Sequence, residues 1–219
     1  MEKFNDLHSF FERLKNVDYV VLRNFEQFNS NEWMLDAHPD IDILCANRED
    51  VKCLIGFSPK GSREDGIHYS VCIADKKVDI DLRTVGDGYY DRQWEYSIIK
   101  NRVGQNNFYI PSPQDYFYSL LYHAYIQKPV VSQDYVNRLC ELSAKASVDF
   151  HPEKAVASLD AYIASRGYKY TYPEYIGAYV NFSGVDKNLV EKNSKKAVQR
   201  QVVRMRNHIR SFAKRVIGG

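Results

Sequence analysis

The sequence predicts an α/β fold, a small mixed sheet with flanking helices, followed by an all-helical C-terminal half. Three observations predict it. Two short segments, Ile41-Asp-Ile-Leu-Cys45 and Lys77 to Arg83, alternate apolar and acidic residues with the two-residue period of half-buried strands. The segments around them carry helical spacing or turn chemistry. After Lys128-Pro129 the strand signals stop and helical patterns take over. The division falls at about residue 111, giving an α/β domain over 1–111 and a helical domain over 112–219.

Phe4, Leu7, Phe11 and Leu14 recur at helical spacing, so residues 3–16 read as an amphipathic helix. Asp18-Tyr-Val-Val-Leu-Arg23 follows as a short buried strand. Residues 25–39 form a polar, turn-rich connection closed by His38-Pro39, a dipeptide that disfavours helix just before the next element. In the strand Ile41 to Cys45, Asp40 and Asp42 share one face and Ile41 and Ile43 the other. Arg48 to Ile55 reads as a short helix and Ser58 to Gly66 as a loop. Ile67 to Ala74 and Lys77 to Arg83 read as a hairpin around Asp75-Lys76. Gly86-Asp-Gly88 breaks the chain before a helix from about Asp91 to Arg102. A strand at Phe108-Tyr-Ile110 leads to Pro111-Ser112-Pro113, where Ser112 is placed to cap a helix running to about Ile126. Further helices are expected near 132–145, 152–165 and 187–216.

With 219 residues, 44% of them hydrophobic, the chain has enough apolar surface for an ordinary core. Seventeen Tyr and eleven Phe suit clefts and helix–sheet interfaces, where an aromatic body is buried and a polar tip is not. Cys45, Cys53, Cys72 and Cys140 show no paired spacing, which favours buried free thiols of a reducing compartment over a zinc site. No signal peptide or membrane-spanning run is visible, so the expected location is cytoplasmic. Charge is segregated. Residues 187–219 hold ten Lys or Arg against one acid, a balance of +9, which leaves 20 bases against 27 acids, a balance of −7, in the first 186 residues. The terminal stripe Val198, Val202, Met205, Ile209, Phe212 and Val216 is expected to pack on this acidic body. The alternative is a basic amphipathic helix lying on the inner face of an anionic membrane.

The chemistry centres on the two Asp-Ile-Asp triplets, 40–42 and 79–81. If their strands are neighbours, three or four carboxylates converge, and such a cluster is costly unless a cation neutralises it. Mg²⁺ or Mn²⁺ suits an all-oxygen set, because Mg²⁺ completes its shell with water and substrate phosphate. The alternative is a solvated strand face, although Asp is depleted in strands. On the metal reading Asp42→Asn abolishes metal-dependent binding and, by relieving like-charge repulsion, raises stability in the absence of metal.

A strand, a connection, an apolar-Asp-x-Asp-apolar strand and a third carboxylate on a later strand together resemble the DNA polymerase beta-like nucleotidyltransferase superfamily. More narrowly, Tyr19-Val-Val-Leu-Arg-Asn24, Asp40-Ile-Asp-Ile-Leu44, Asp81-Leu-Arg83 with Gly86-Asp-Gly-Tyr-Tyr90, and Leu120-Leu-Tyr-His-Ala124 resemble uncharacterised bacterial nucleotidyltransferase-like proteins associated with surface-polysaccharide synthesis. The resemblance covers about residues 18–140. It implies a small mixed nucleotidyltransferase-like sheet, with Asp40 and Asp42 as the metal-binding pair and Asp81 as the third carboxylate, Asp79 standing second. It also implies transfer of a nucleotidyl or related phosphoryl group to a small acceptor, such as a sugar or glycan precursor. Where the superfamily carries Gly-Ser ahead of the acidic strand, this chain has Arg23-Asn24, so phosphate binding is assigned to Arg23, with Asn24, Arg83 and Lys128 beside it. The competing expectation is a non-catalytic module that binds a ligand or partner. The expected partners are a nucleotide or a sugar phosphate, and no specific nucleic acid, because the body is acidic and carries no recognition motif. His123 is expected to be a satisfied buried histidine, and Asp87 a turn residue.

Overall fold

A computed structural model describes residues 1–29, 39–61 and 65–192. The fold is mixed α/β, with a six-stranded mixed sheet and six α-helices among these residues. The elements in chain order are β1 (Lys3–Phe4), α1 (Leu7–Arg13), β2 (Tyr19–Val21), β3 (Asp40–Cys45), α2 (Arg48–Leu54), β4 (Ser58–Pro59), β5 (His68–Ile73), β6 (Lys76–Thr84), α3 (Arg92–Lys100), β7 (Val103–Gln105), β8 (Phe108–Ile110), α4 (Pro113–Ile126), α5 (Gln133–Ala146) and α6 (Ala155–Arg166). The main sheet runs β1-β5-β6-β3-β2, with β4 added to β5, and β7-β8 form a separate hairpin.

The pairing that matters most is β3 with β6. The two strands are parallel, and their register sets Asp40 beside Asp79, Ile41 beside Ile80 and Asp42 beside Asp81. Paired residues on adjacent strands share a face, so all four aspartates lie on one side of the sheet, about 4.8 Å apart from strand to strand. Ile41, Ile43, Ile80 and Leu82 are fully buried on the other side. Both strands therefore take the face the alternation dictates.

Local chemistry set several boundaries away from the expected ones. Helix α1 begins only at Leu7, because the Asp6 side chain accepts from the Ser9 amide in a capping box. The preceding Lys3–Phe4 instead pairs parallel to β5, with Phe4 edge-on to Phe10 at 5.3 Å. The β5–β6 turn sits at Ala74-Asp75, one residue earlier than expected, with both residues at positive φ (48° and 62°) as a two-residue type I′ connection needs. Val103–Gln105 pairs with Phe108–Ile110 around Asn106 at φ 53°, a hairpin of which only the second strand was expected. Ser58–Pro59 pairs with β5 instead of forming a plain loop.

Among the described residues the C-terminal half is not all helical. Helices α4, α5 and α6 form as expected, with the Ser112 and Ser132 side chains accepting from the Asp115 and Tyr135 amides. Beyond α6, which Gly167 closes in the left-handed region, residues 167–192 are irregular, with one 3₁₀ turn at Lys187–Leu189 and a single bridge between Tyr170 and Val190. Residues 171–181 act as a strap. Thr171 Oγ donates to the Gly88 carbonyl (3.0 Å), the Glu174 amide to the Asp87 carbonyl (2.6 Å) and the Asn181 amide to the Ile126 carbonyl (2.9 Å). Pro173, Gly177 and the many polar backbone groups suit this extended run better than a helix. The basic helix expected over 187–216 begins on residues 187–192, which hold one 3₁₀ turn and then irregular chain; the rest of it, with its membrane contact, lies outside the described residues.

One hydrophobic cluster spans both sides of residue 111. Trp94 of α3, fully buried, lies against Tyr90, Tyr122 and Tyr162, with ring centroids at 4.8, 5.8 and 5.5 Å. Tyr118 stacks on Tyr162 at 3.7 Å. The tyrosine-rich composition thus builds the interface between α3 and helices α4 and α6. Cys45 and Cys72 are buried free thiols, whereas Cys53 and Cys140 are exposed. No helix among the described residues is long and apolar enough to cross a membrane.

Gly88 (φ 74°) lies where the strap crosses the β6–α3 connection, and a Cβ there would sit 2.7 Å from the Tyr172 carbonyl oxygen. Gly88→Ala therefore combines left-handed strain with a backbone clash. It should cost about 1–3 kcal/mol, read as a lower midpoint in thermal or urea denaturation. An unchanged midpoint would show that the strap is not held against this turn in solution.

Candidate functional site

The acidic face of β3 and β6 opens into a cleft of about 220 Å³. Its floor carries Asp40, Asp42 and Asp81, with Arg23 and Asn24 from the end of β2 and Arg83 from β6. Tyr89, His123, Gln127 and Lys128 form a second wall, and Tyr135 of α5 with Ala178 and Tyr179 of the strap complete it. A further hollow of about 280 Å³ shares Asn24, Asp40 and Tyr135 with it and adds Asp134 and Arg138. Every expected site residue except Asp79 lines the cleft.

Asp79 is turned to a different neighbourhood. Its carboxylate lies 2.7 Å from Lys60 Nζ and accepts from Ser70 Oγ at 3.1 Å. Partial burial works against its charge, but Lys60 and Ser70 outweigh burial and lower its pKa. Asp81 differs in kind. Burial, then the adjacent Asp42 carboxylate, raise its pKa, while His68 Nε2 at 3.7 Å acts the other way. Of the two later aspartates, Asp81 is the one placed with Asp42 in the cleft.

Arg23 is not poised as an open phosphate fork. Its Nη2 donates to Asp42 Oδ1 at 2.8 Å and to the Tyr89 hydroxyl at 2.9 Å, and both side chains of the ion pair are less than a tenth exposed. Burial alone would weaken the charge, but Asp42 overcomes it and holds the guanidinium firmly protonated. The expected stabilising effect of Asp42→Asn is accordingly revised, because the repulsion from Asp81 is set against a buried ion pair. Asn24, at φ 62°, accepts from Arg138 Nη1 at 3.1 Å, so its side chain is braced by α5. Arg83 is buried with its guanidinium 4.3 Å from the Tyr89 ring centroid. Its Nη1 makes no hydrogen bond and stands 3.9 Å from Asp87. This donor is sealed from solvent, so Arg83 favours an anion in the cleft through its charge. Lys128 is half-buried at the cleft mouth.

Tyr89 organises this wall. Its amide donates to Asp87 Oδ1 (2.9 Å), its carbonyl accepts from Gln127 Nε2 (3.0 Å), and its hydroxyl lies 3.3 Å from His123 Nδ1. His123 Nδ1 is 3.1 Å from Gln127 Oε1, which assigns the ring proton to Nδ1. Burial, reinforced by Arg23, depresses His123 well below the ordinary histidine range, so the ring is neutral. His123 is thus the buried histidine expected, but one that also faces the cleft.

Beneath the wall two carboxylates hold the Gly86–Tyr90 turn. Asp87 accepts from the Tyr89 and Thr84 amides, while Glu95 Oε2 and Oε1 accept from the Gly86 (2.7 Å) and Tyr90 (2.9 Å) amides. Glu95 is fully buried, and burial, then the nearby Asp87, push its carboxyl up to about 8. Tyr89, Gln127, Tyr135, Arg138 and Glu95 were not legible as site residues, since each is recruited by contacts distant in sequence. Gly86-Asp-Gly88, Lys128 and the segment holding His123 pointed to this wall, but not to Tyr89 as its organiser.

Among the described residues no three His, Cys, Asp or Glu side chains form a ready-made metal-ligand group. The donor chemistry nonetheless fits a hard cation. Asp42 and Asp81 are adjacent carboxylates, Asp81 raised by burial and then by Asp42, with the exposed Asp40 beside them. Mg²⁺ usually takes only one or two carboxylates and draws its other ligands from water and phosphate. Comparisons with protein-family models, with curated proteins and with solved structures give no match.

Proposed function

We propose that the chain is a Mg²⁺- or Mn²⁺-dependent nucleotidyltransferase-like enzyme acting on a nucleotide or sugar phosphate and a small hydroxyl acceptor. A sugar or glycan precursor is the acceptor suggested by the sequence resemblance. The observation that carries the reading is the in-register parallel pairing of β3 and β6, which sets Asp42 beside Asp81 in a cleft that also holds Arg83 and Lys128. In the sheet the acidic pair lies on a strand between the antiparallel β2 and the parallel, acidic β6.

Each residue has a task that its surroundings support. Arg83 and Lys128 receive the phosphoryl oxygens, and Arg23 joins them when it leaves Asp42. Asp81, whose carboxyl is raised, accepts the proton of the acceptor hydroxyl at its carboxylate oxygen. The acceptor oxygen then bonds to phosphorus, and the bridging phosphorus–oxygen bond breaks towards the leaving phosphate. A divalent cation held by Asp40, Asp42 and Asp81 would polarise the phosphoryl oxygens and stabilise the leaving group. Neutral His123 and the Tyr89 and Tyr135 rings limit water in the wall. On this reading the protein works in the cytoplasm, with any contact to the inner membrane face left to residues beyond 192.

One observation favours the alternative, a binding module without transfer. The Arg23–Asp42 pair already neutralises one carboxylate without a metal. Screening the four nucleoside triphosphates and common sugar nucleotides with Mg²⁺ separates the two. Transfer lost in Asp81→Ala and reduced less in Asp79→Ala supports the enzyme. The reverse ranking would reassign the third carboxylate, and binding without turnover would favour the module.

A further inference from the structure

Asp42 is the best-buried carboxylate of the cleft floor, and its partner Arg23 is held by two hydrogen bonds. Both hydrogens of Arg23 Nη2 are used, one on Asp42 Oδ1 and one on the Tyr89 hydroxyl. Tyr89 is itself pinned at its amide by Asp87 and at its carbonyl by Gln127. The docked position of Arg23 is therefore built into the wall. A divalent cation using Asp42 meets two obstacles there, an occupied oxygen and a fixed positive charge a few ångströms away. Withdrawing Arg23 with nothing in exchange is also unfavourable, because it leaves the buried Asp42 carboxylate without its partner beside the like charge of Asp81. An oxyanion resolves both difficulties. Arg83 and Lys128 line the same cleft to draw it in, and a phosphate or sulfate offers the planar Arg23 fork two charged oxygens to bond side by side.

We propose that Arg23 is a resident counter-cation for Asp42, which yields the carboxylate to a divalent cation only when an oxyanion enters the cleft and takes the guanidinium. The inference rests on the cation reading given above and adds an order of binding to it. The metal and oxyanion sites are then coupled, and by linkage each raises affinity for the other by the same factor.

The test counts bound Mn²⁺ by electron paramagnetic resonance on the full chain, with and without sulfate, for wild type, Arg23→Met and Tyr89→Phe. Sulfate replaces a phosphate ligand because it chelates Mn²⁺ weakly. In wild type, sulfate should tighten Mn²⁺ binding about tenfold or more. Arg23→Met should bind Mn²⁺ tightly without sulfate and gain nothing from it. Tyr89→Phe, which keeps the arginine but removes one of its anchors, should lie between, and it carries the test if Arg23→Met fails to fold. Mn²⁺ should also raise the melting temperature of Arg23→Met more than that of wild type. Equal Mn²⁺ affinity in all three proteins, unaffected by sulfate, would overturn the role of Arg23 while leaving the cation site standing. No Mn²⁺ binding by any of them, with sulfate present, would overturn the cation reading and this inference together.

Discussion

Asp42→Ala is expected to destabilise the metal-free protein by about 3–5 kcal/mol, the cost of leaving a buried charge without its partner. The stranded group would be Arg23, whose charge is held in place by Asp42 at 2.8 Å and whose side chain is 9% exposed. Asp42→Asn keeps an acceptor but no charge, so its loss should be smaller. Asp81→Asn should move the other way. Asp81 is ionised at a cost set by burial and by Asp42, and a neutral side chain there removes that cost. Urea denaturation of the three variants at neutral pH reads the contrast. Equal midpoints for Asp42→Ala and wild type would mean that Arg23 is not held by Asp42 in solution.

The second large effect is a pH dependence centred on Glu95. Its folded-state value of about 8 stands above the ordinary 4.5, because burial and then Asp87 outweigh the amides of Gly86 and Tyr90. The folded protein therefore keeps a proton that the unfolded chain has lost. Stability from this group is complete below about pH 4.5 and is lost as pH rises through about 8, with each unit of separation worth roughly 1.4 kcal/mol. Glu95→Gln removes the titration. The difference in unfolding free energy between wild type and Glu95→Gln should fall steadily from about pH 5 to about pH 8 and then level off. A flat difference across that range would show that Glu95 is already ionised in the folded protein at low pH.

The acidic floor was largely legible in the sequence, because the two-residue period fixes which residues of a strand share a face. Asp40, Asp42 and Asp81 needed only the pairing of their strands to become neighbours, and the parallel register supplied it. What alternation cannot encode is the partner of a charge. The Arg23–Asp42 pair joins residues 19 positions apart, across the end of β2 and a connection whose path no local signal dictates. Glu95 shows the same limit from the other side. On a helix with charged neighbours it reads as a solvated carboxylate, and only the turn folded back over it makes it buried. Among the described residues, the departure from an all-helical C-terminal half has a related reason. Residues 167–192 follow three good helices, but Pro173, the glycines and long-range amide bonds serve the strap and not a helix.

The strap sets a timetable for the nascent chain. Ala178 and Tyr179 reach the cleft only after α4, α5 and α6 have been synthesised, and the fastenings at Gly88 and Ile126 must exist before the strap can dock. A ribosome adds roughly 5–20 residues per second, so the acidic floor has seconds in which to form before its last wall emerges. During that interval the arginine–aspartate pair keeps the floor from being a bare cluster of like charges. The earlier sheet must therefore fold on the strength of its own core.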